Sequence, residues 1–224
     1  VWPHEWELAA SENVSPITLD GVVINTYACS NEINRSGYLD GISTICHEFS
    51  HCLGYPDLYD TQYSGNFGMG EFDLMCAGTD NDGGYTPPAY SGYERWVAGW
   101  RTPIELTEYT EVTNLKPITE GGEFYVVYND ANRNEYYTLE NRQQKGYDEF
   151  IPGRGLMITH IDYNPTAWDF NIVNTIVDYY QAYYNSYYQY YLQQGYSSAQ
   201  AKAKATEEAE PYKDAKNDHQ RLTI

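Results

Sequence analysis

Apolar and polar residues alternate differently in three stretches of the chain, and each pattern predicts its own kind of element. The run Gly21-Val22-Val23-Ile24-Asn25-Thr26-Tyr27 is β-branched and apolar and predicts a strand. A helix is predicted over 41–53 and a second near 88–99, between Pro87-Pro88 and the stop at Gly99. From Arg101-Thr102-Pro103 onward the chain changes to short alternating or apolar runs at 108–115, 122–129, 134–141 and 155–162, separated by Gly, Asn and Pro. That pattern predicts antiparallel β structure. Residues 176–210 differ again: at about 100° per residue, Tyr179, Tyr180, Tyr183, Tyr184, Tyr187, Tyr188, Tyr190 and Tyr191 share one half of a helical wheel. Gln181, Ala182, Asn185, Ser186 and Gln189 take the other half. Gly195 should stop this helix, and Ser197-Ser198-Ala199-Gln200 should cap a second one that ends before Pro211. The result is a helical hairpin, with alanines at 201, 205 and 209 allowing close approach. Its tyrosines are expected to cover the partner helix and the β part with their hydroxyls at the rim, a lid or a sugar-binding face being the alternative. The fold class read from these elements is α/β (α+β) over 1–102, followed by a β-rich, sandwich-like domain over 103–224 with the hairpin inserted at about 176–210.

A chain of 224 residues can bury a real core as one large domain or two small ones. No apolar run approaches the roughly 20 residues that cross a bilayer, so no transmembrane segment is predicted. The formal net charge is -19, with 13 Lys and Arg among 32 Asp and Glu, and nothing in it offers a basic surface to phosphates. Nucleic acid is thereby excluded as an expected partner. The sequence opens at Val1 with neither an initiator Met nor a basic, apolar leader, so an export signal is expected to have been removed or to lie upstream. Of the four cysteines, Cys46 and Cys52 would stand about 9 Å apart along one helix, too far for a mutual disulfide. Buried thiols and a bridge such as Cys29 to Cys76 are both compatible with the sequence.

The chemistry concentrates in His47-Glu48-Phe49-Ser50-His51-Cys52-Leu53-Gly54-Tyr55-Pro56-Asp57. Histidines at i and i+4 stand one turn apart on one face of a helix, so His47 and His51 can bring two imidazole nitrogens to one metal ion. Glu48, beside the first ligand, is placed to act on water at that metal as a general base. Gly54 can end the helix in a left-handed turn and Pro56 stiffens the return, so that Asp57 can swing back as third ligand, with Asp60 as the alternative. Three protein ligands leave a fourth position for water, the arrangement of a catalytic zinc. His4, His160 and His219 read as structural or surface histidines. Two places could bind calcium, the strand end His160-Ile161-Asp162 and the loop Asp80-Asn81-Asp82-Gly83-Gly84, the latter otherwise an ordinary solvated turn.

The extended motif H-E-x-x-H-x-x-G-x-x-D resembles that of metzincin-type zinc peptidases, and Phe72-Asp73-Leu74-Met75 resembles their Met-turn, which implies a structural methionine, Met75, beneath the metal site. More narrowly, these segments together with Tyr55-Pro56-Asp57-Leu58-Tyr59-Asp60 are similar to the immune inhibitor A family of secreted bacterial metallopeptidases. Trp2-Pro3-His4 before the helix, and Tyr136-Tyr137-Thr138-Leu139-Glu140-Asn141-Arg142, Gly155-Leu156-Met157-Ile158-Thr159-His160-Ile161-Asp162 and His219-Gln220-Arg221-Leu222 after it, extend the similarity over most of the chain except the hairpin. Ser50 stands where the family usually has Gly, and Phe72 where Trp is usual. The resemblance implies a zinc endopeptidase acting on proteins or peptides, secreted or at the bacterial cell surface. It also implies a catalytic domain over 1–102 that lacks its first elements, and a substrate strand laid beside the edge containing Val22 to Tyr27. The rival readings are a non-catalytic adhesion or carbohydrate-binding module that retains the zinc site, and a zinc amidase or deacylase.

Overall fold

The computed structural model describes residues 2–11 and 14–224. Its elements make a mixed α/β molecule. Strand β1 (His4–Glu7) comes first, and β2 (Ile17–Leu19) and β3 (Val22–Ile24) form a hairpin. The turn between them is Asp20-Gly21, both at positive φ (50° and 81°), which matches the twist of a two-residue hairpin. The run expected as one strand over 21–27 is therefore two, because the chain breaks at Asn25 before β4 (Thr26–Cys29), which pairs antiparallel with β1. Helix α1 (Ser43–Cys52) lies within the predicted 41–53. Helix α2 (Gly92–Val97) is shorter than the predicted 88–99, because Ser91 caps it: its side chain accepts from the Glu94 N–H, and Glu94 accepts in return from the Ser91 N–H.

The second half is built on one five-stranded sheet. Strand β5 (Ile104–Glu105) runs parallel to β6 (Tyr125–Asn129), which pairs antiparallel with β7 (Asn132–Arg142), and β7 with β8 (Gly155–Asp162). The strand predicted over 108–115 does not form; the alternation there meets no partner strand, and Tyr109 is 94% exposed. After β8 come the short helix α3 (Pro165–Asp169), strand β9 (Val177–Asp178), helices α4 (Tyr179–Gln193) and α5 (Ser198–Ala209), strand β10 (Lys216–Asn217), paired with β9, and β11 (Leu222–Thr223), which completes the sheet beside β8. The helical hairpin stands as the sequence indicates. Gly195 ends α4 at φ 84°, a capping box of Ser197 and Gln200 starts α5, and Ala201, Ala205 and Ala209 are fully buried. The tyrosines stack along α4 in the rows 179-183-187 and 180-184-188, and Tyr183 lies face to face on Tyr212.

The sandwich expectation needs correction. Alternate residues of β7 and β8, including Tyr136, Thr138, Met157 and Ile161, are buried, whereas Tyr137, Leu156 and Ile158 on the other face are exposed. Among the described residues no second sheet covers that face. The buried face packs instead on α2 and on the segment that follows α1, so that Tyr55, Leu58, Met69 and Met75 share one apolar cluster with Tyr93, Val126, Ile161 and Leu222. A buried ionic network ties the two halves further. Arg142 donates to both oxygens of Asp148 at 2.6 and 2.7 Å and to Glu140 at 3.2 Å, while Asp148 accepts from the Ala89 N–H and Glu140 from the Gly92 N–H. With all three charged side chains buried and hydrogen-bonded, this network fixes where α2 meets the sheet.

Candidate metal centre

Helix α1 carries His47 and His51 on one face, one turn apart. His47 Nδ1 lies 2.8 Å from the carbonyl oxygen of Leu74, and His51 Nδ1 lies 2.7 Å from that of Tyr55. A carbonyl can only accept, so each Nδ1 carries a hydrogen, and Nε2 is the ring atom turned toward the third group. The rings stand nearly perpendicular, with centroids 4.8 Å apart.

The end of α1 sets the third group. Gly54, at φ 91°, donates its N–H to the His51 carbonyl at 2.8 Å, and Tyr55 N–H reaches the Ser50 carbonyl at 3.2 Å. This Schellman turn swings the Tyr55 carbonyl onto His51 and sends the chain back past the helix. Asp57 Oδ1 then comes to 3.0 Å from His47 Nε2 and 3.4 Å from His51 Nε2. Asp57 Oδ2 is held by the Asn171 amide at 2.7 Å, and the Asp57 N–H donates to Asn171 Oδ1 at 2.5 Å. Burial raises the pKa of the Asp57 carboxyl, but the two imidazoles and the Asn171 amide outweigh it and hold the group well below the usual carboxylate range.

Two imidazole nitrogens and one carboxylate oxygen therefore converge, all three within 4.8 Å of one another. Asp57 Oδ1 is buried with no hydrogen-bond donor among the described residues. A buried carboxylate oxygen needs positive charge beside it, which a metal ion shared with the two nitrogens supplies. The set of two nitrogens and one oxygen, open on the fourth side, fits zinc.

That open side faces a cleft. Cavities of about 760 and 560 Å³ flank the site, and His47, Glu48, Tyr59, Trp2 and Pro3 line both. Glu48 is half-buried and sits where the two cavities meet. The smaller cavity is bordered by Glu5 and Trp6 of β1. The expected substrate edge at Val22 to Tyr27 lines neither cavity, because β1 pairs with β4 and lies between it and the cleft.

Beneath the site the segment Asp73-Leu74-Met75 braces both ligand-bearing stretches. The Leu74 carbonyl orients His47, the Met75 carbonyl accepts from Leu58 N–H at 2.7 Å, and Met75 itself is fully buried. Asp73 Oδ1 accepts from Met75 N–H at 2.8 Å, and its carboxyl is buried against that of Glu94. Burial, and then the neighbouring Asp73 charge, push the Glu94 pKa well above the ordinary value. Burial raises the Asp73 carboxyl as well, so both groups are shifted toward the neutral acid. Glu94 also accepts the Tyr55 hydroxyl on its carbonyl at 2.7 Å, which steadies the residue that orients His51.

The remaining expectations resolve individually. Asp60 is spent on its own loop: it accepts from Ser64 N–H and hydroxyl at 2.7 and 2.6 Å and from Gln62 N–H at 3.1 Å, so it does not join the histidines. In the loop at 80–84, Asn81 donates to the Glu71 carbonyl and Asp82 accepts from Thr86. No cluster of three acidic, histidine or cysteine ligands forms there or at His160-Ile161-Asp162 among the described residues, and calcium finds no support. His160 pairs with Glu135, His219 with Asp218 and Asp162, and His4 with the Trp2 carbonyl and the Tyr27 hydroxyl. All four cysteines are free thiols, so the Cys29 to Cys76 bridge is not made. Ser50, fully buried, donates to the Cys46 carbonyl at 2.6 Å and meets the Tyr90 hydroxyl at 2.5 Å, so the hydroxyl that replaces the usual Gly is satisfied.

His47, His51 and Asp57 together make a group that can hold a metal ion. Residues 1–98 match the family model described as immune inhibitor A peptidase M6, catalytic domain. Over that span the chain is similar to the catalytic domain of the immune inhibitor A peptidases, and the match supports a metallopeptidase. No significant match was found among curated proteins or solved structures.

Proposed function

We propose that the protein is a secreted zinc endopeptidase in which His47, His51 and Asp57 hold the metal and Glu48 is the general base. The observation that carries this reading is the orphaned Asp57 Oδ1 between two imidazole Nε2 atoms. A zinc ion held there supplies Lewis acidity, activating water and polarising the scissile carbonyl. Glu48 takes the proton from the attacking water on its carboxylate and passes it to the leaving amine nitrogen. The Leu74 and Tyr55 carbonyls keep both histidines in the tautomer that presents Nε2, and Met75 forms the apolar floor of a metzincin-like site. Residues 1–102 act as the catalytic domain and 103–224 as the domain that buttresses it. The substrate peptide lies along the cleft beside β1. Secretion follows from the family, and no helix is long and apolar enough to cross a membrane among the described residues.

A carbohydrate-binding reading has no support of its own, because the tyrosines of α4 are engaged in stacking along the hairpin and on Phe170 and Tyr212. The decisive variant is Glu48→Gln. Its zinc content, read by elemental analysis, should equal that of the wild type, while peptide hydrolysis should fall by at least about a hundredfold, the scale of general-base catalysis. Robust cleavage by a clean preparation of this variant would remove Glu48 from the role.

A further inference from the structure

The loop that carries Asp57 is held by a second stretch of chain at four successive points. Trp168 Nε1 donates to the Gly54 carbonyl at 3.1 Å, Asn171 makes its two bonds to Asp57, Asn174 Nδ2 donates to the Leu58 carbonyl at 2.9 Å, and Thr175 Oγ1 accepts from Thr61 N–H at 2.7 Å. The partners advance together along both segments, 54, 57, 58 and 61 against 168, 171, 174 and 175. All four clamping residues lie beyond the span that matches the peptidase family.

We infer that residues 168–175 form a clamp for the metal-binding loop and that Asn171 is the positioning residue that fixes the third ligand, an inference that rests on Asp57 being a ligand. The side chain suits the task in two ways. Asn171 has φ 55°, a left-handed backbone that Asn adopts more readily than most residues. Its amide joins an accepting oxygen to a donating NH2, and both are used on the same residue, the Asp57 N–H and Asp57 Oδ2. With Oδ2 occupied and the main chain pinned, the carboxylate has one orientation, and only Oδ1 is left to face the histidines. An outer partner that orients a ligand in this way is commonly worth about tenfold to a hundredfold in metal affinity. The clamp is itself anchored. Asn174 Oδ1 accepts from the Arg221 and Leu222 N–H groups, and Asn217 Nδ2 donates to the carbonyls of Ile172, Val173 and Thr175. The β-rich half thus completes a centre whose histidines lie in the other half.

The test is a zinc titration of the metal-free full chain against a competing chromophoric chelator, for the wild type, Asn171→Gly, Thr175→Val and Asp57→Ala. Glycine removes the amide without opposing the left-handed backbone. Valine loosens the same clamp at Thr61 without touching the ligand. Asn171→Gly should bind zinc about tenfold to a hundredfold more weakly, whereas Thr175→Val should lower the melting temperature and weaken zinc binding by a clearly smaller factor. Wild-type affinity in Asn171→Gly, or equal losses in the two variants, overturns the inference while leaving the site intact. Unchanged affinity in Asp57→Ala instead defeats the assignment of the third ligand. Should the glycine chain not fold, Asn171→Ser, whose side chain is too short to reach Oδ2, carries the same comparison with the same expected loss.

Discussion

Glu94 is fully buried, with Oε2 taking the N–H and hydroxyl of Ser91 at 2.7 and 2.9 Å and Oε1 left without a donor of its own beside Asp73. Its raised pKa means that the folded protein keeps the proton to a higher pH than the unfolded chain does. From the ordinary carboxyl value of 4.5 upward to the raised one, the unfolded chain holds fewer protons, so this group makes stability fall as pH rises through that window. Glu94→Gln imitates the protonated acid and removes the titration. Its melting temperature, compared with the wild type from about pH 5 to pH 8, should gain on the wild type as pH rises, whereas parallel curves would show that no proton is held there. Neither Glu94 nor Asn171 stands out in the sequence, whereas the pair His47 and His51 does. The histidine pair is local, four residues on one helix, and its chemistry is written in that spacing. Asn171 meets Asp57 across 114 residues, and a lone Asn after Phe170 carries no signal of that contact.

At the scale of elements, the turn after α1 converts a helix into a ligand set, and Gly54 is its pivot. A Cβ at Gly54 would meet nothing within 4 Å, so the cost of Gly54→Ala is the left-handed backbone alone, about 1 kcal/mol. In a chain of this size that lowers the melting temperature by about 2–4 °C. Zinc affinity should fall as well, because Tyr55 and Asp57 both follow the pivot; a variant that loses stability but keeps zinc affinity would separate the turn from the site. The elements that the sequence made legible are those with local punctuation: α1 through its histidine spacing and glycine stop, and α4 and α5 through the Gly195 stop and the Ser197 capping box. The strand expected over 108–115 failed because alternation marks a half-buried surface only where a partner exists, and the edge beside β6 is taken by the two residues of β5. The single sheet in place of a sandwich has a related cause. The apolar face of β7 and β8 finds its cover in Tyr93 and in Tyr55, Leu58 and Met75, which no strand pattern encodes.

At the scale of the whole molecule, the hairpin and the clamp are separable. Helices α4 and α5 leave and re-enter through the antiparallel pair of β9 and β10, where Asp178 lies opposite Lys216 and Val177 opposite Asn217. The ends of the hairpin are therefore neighbours, and a two-residue Asn-Gly turn can replace residues 179–215 without moving either strand. Asn217, whose amide holds the carbonyls of Ile172, Val173 and Thr175, stays in place, and with it the clamp on Asp57. What is lost is the stacking of Tyr179 and Tyr212 on Phe170, one residue before Asn171, together with the buried alanine seam inside the hairpin. The shortened chain should melt a few degrees lower, at roughly 2–4 °C per kcal/mol of packing removed, yet bind zinc and cleave short peptides within about twofold of the full chain. A rise in cleavage of large protein substrates with no change for short peptides would identify the hairpin as a steric filter on the cleft. Loss of zinc would show instead that Phe170 and its two tyrosines are part of what holds Asn171 against Asp57.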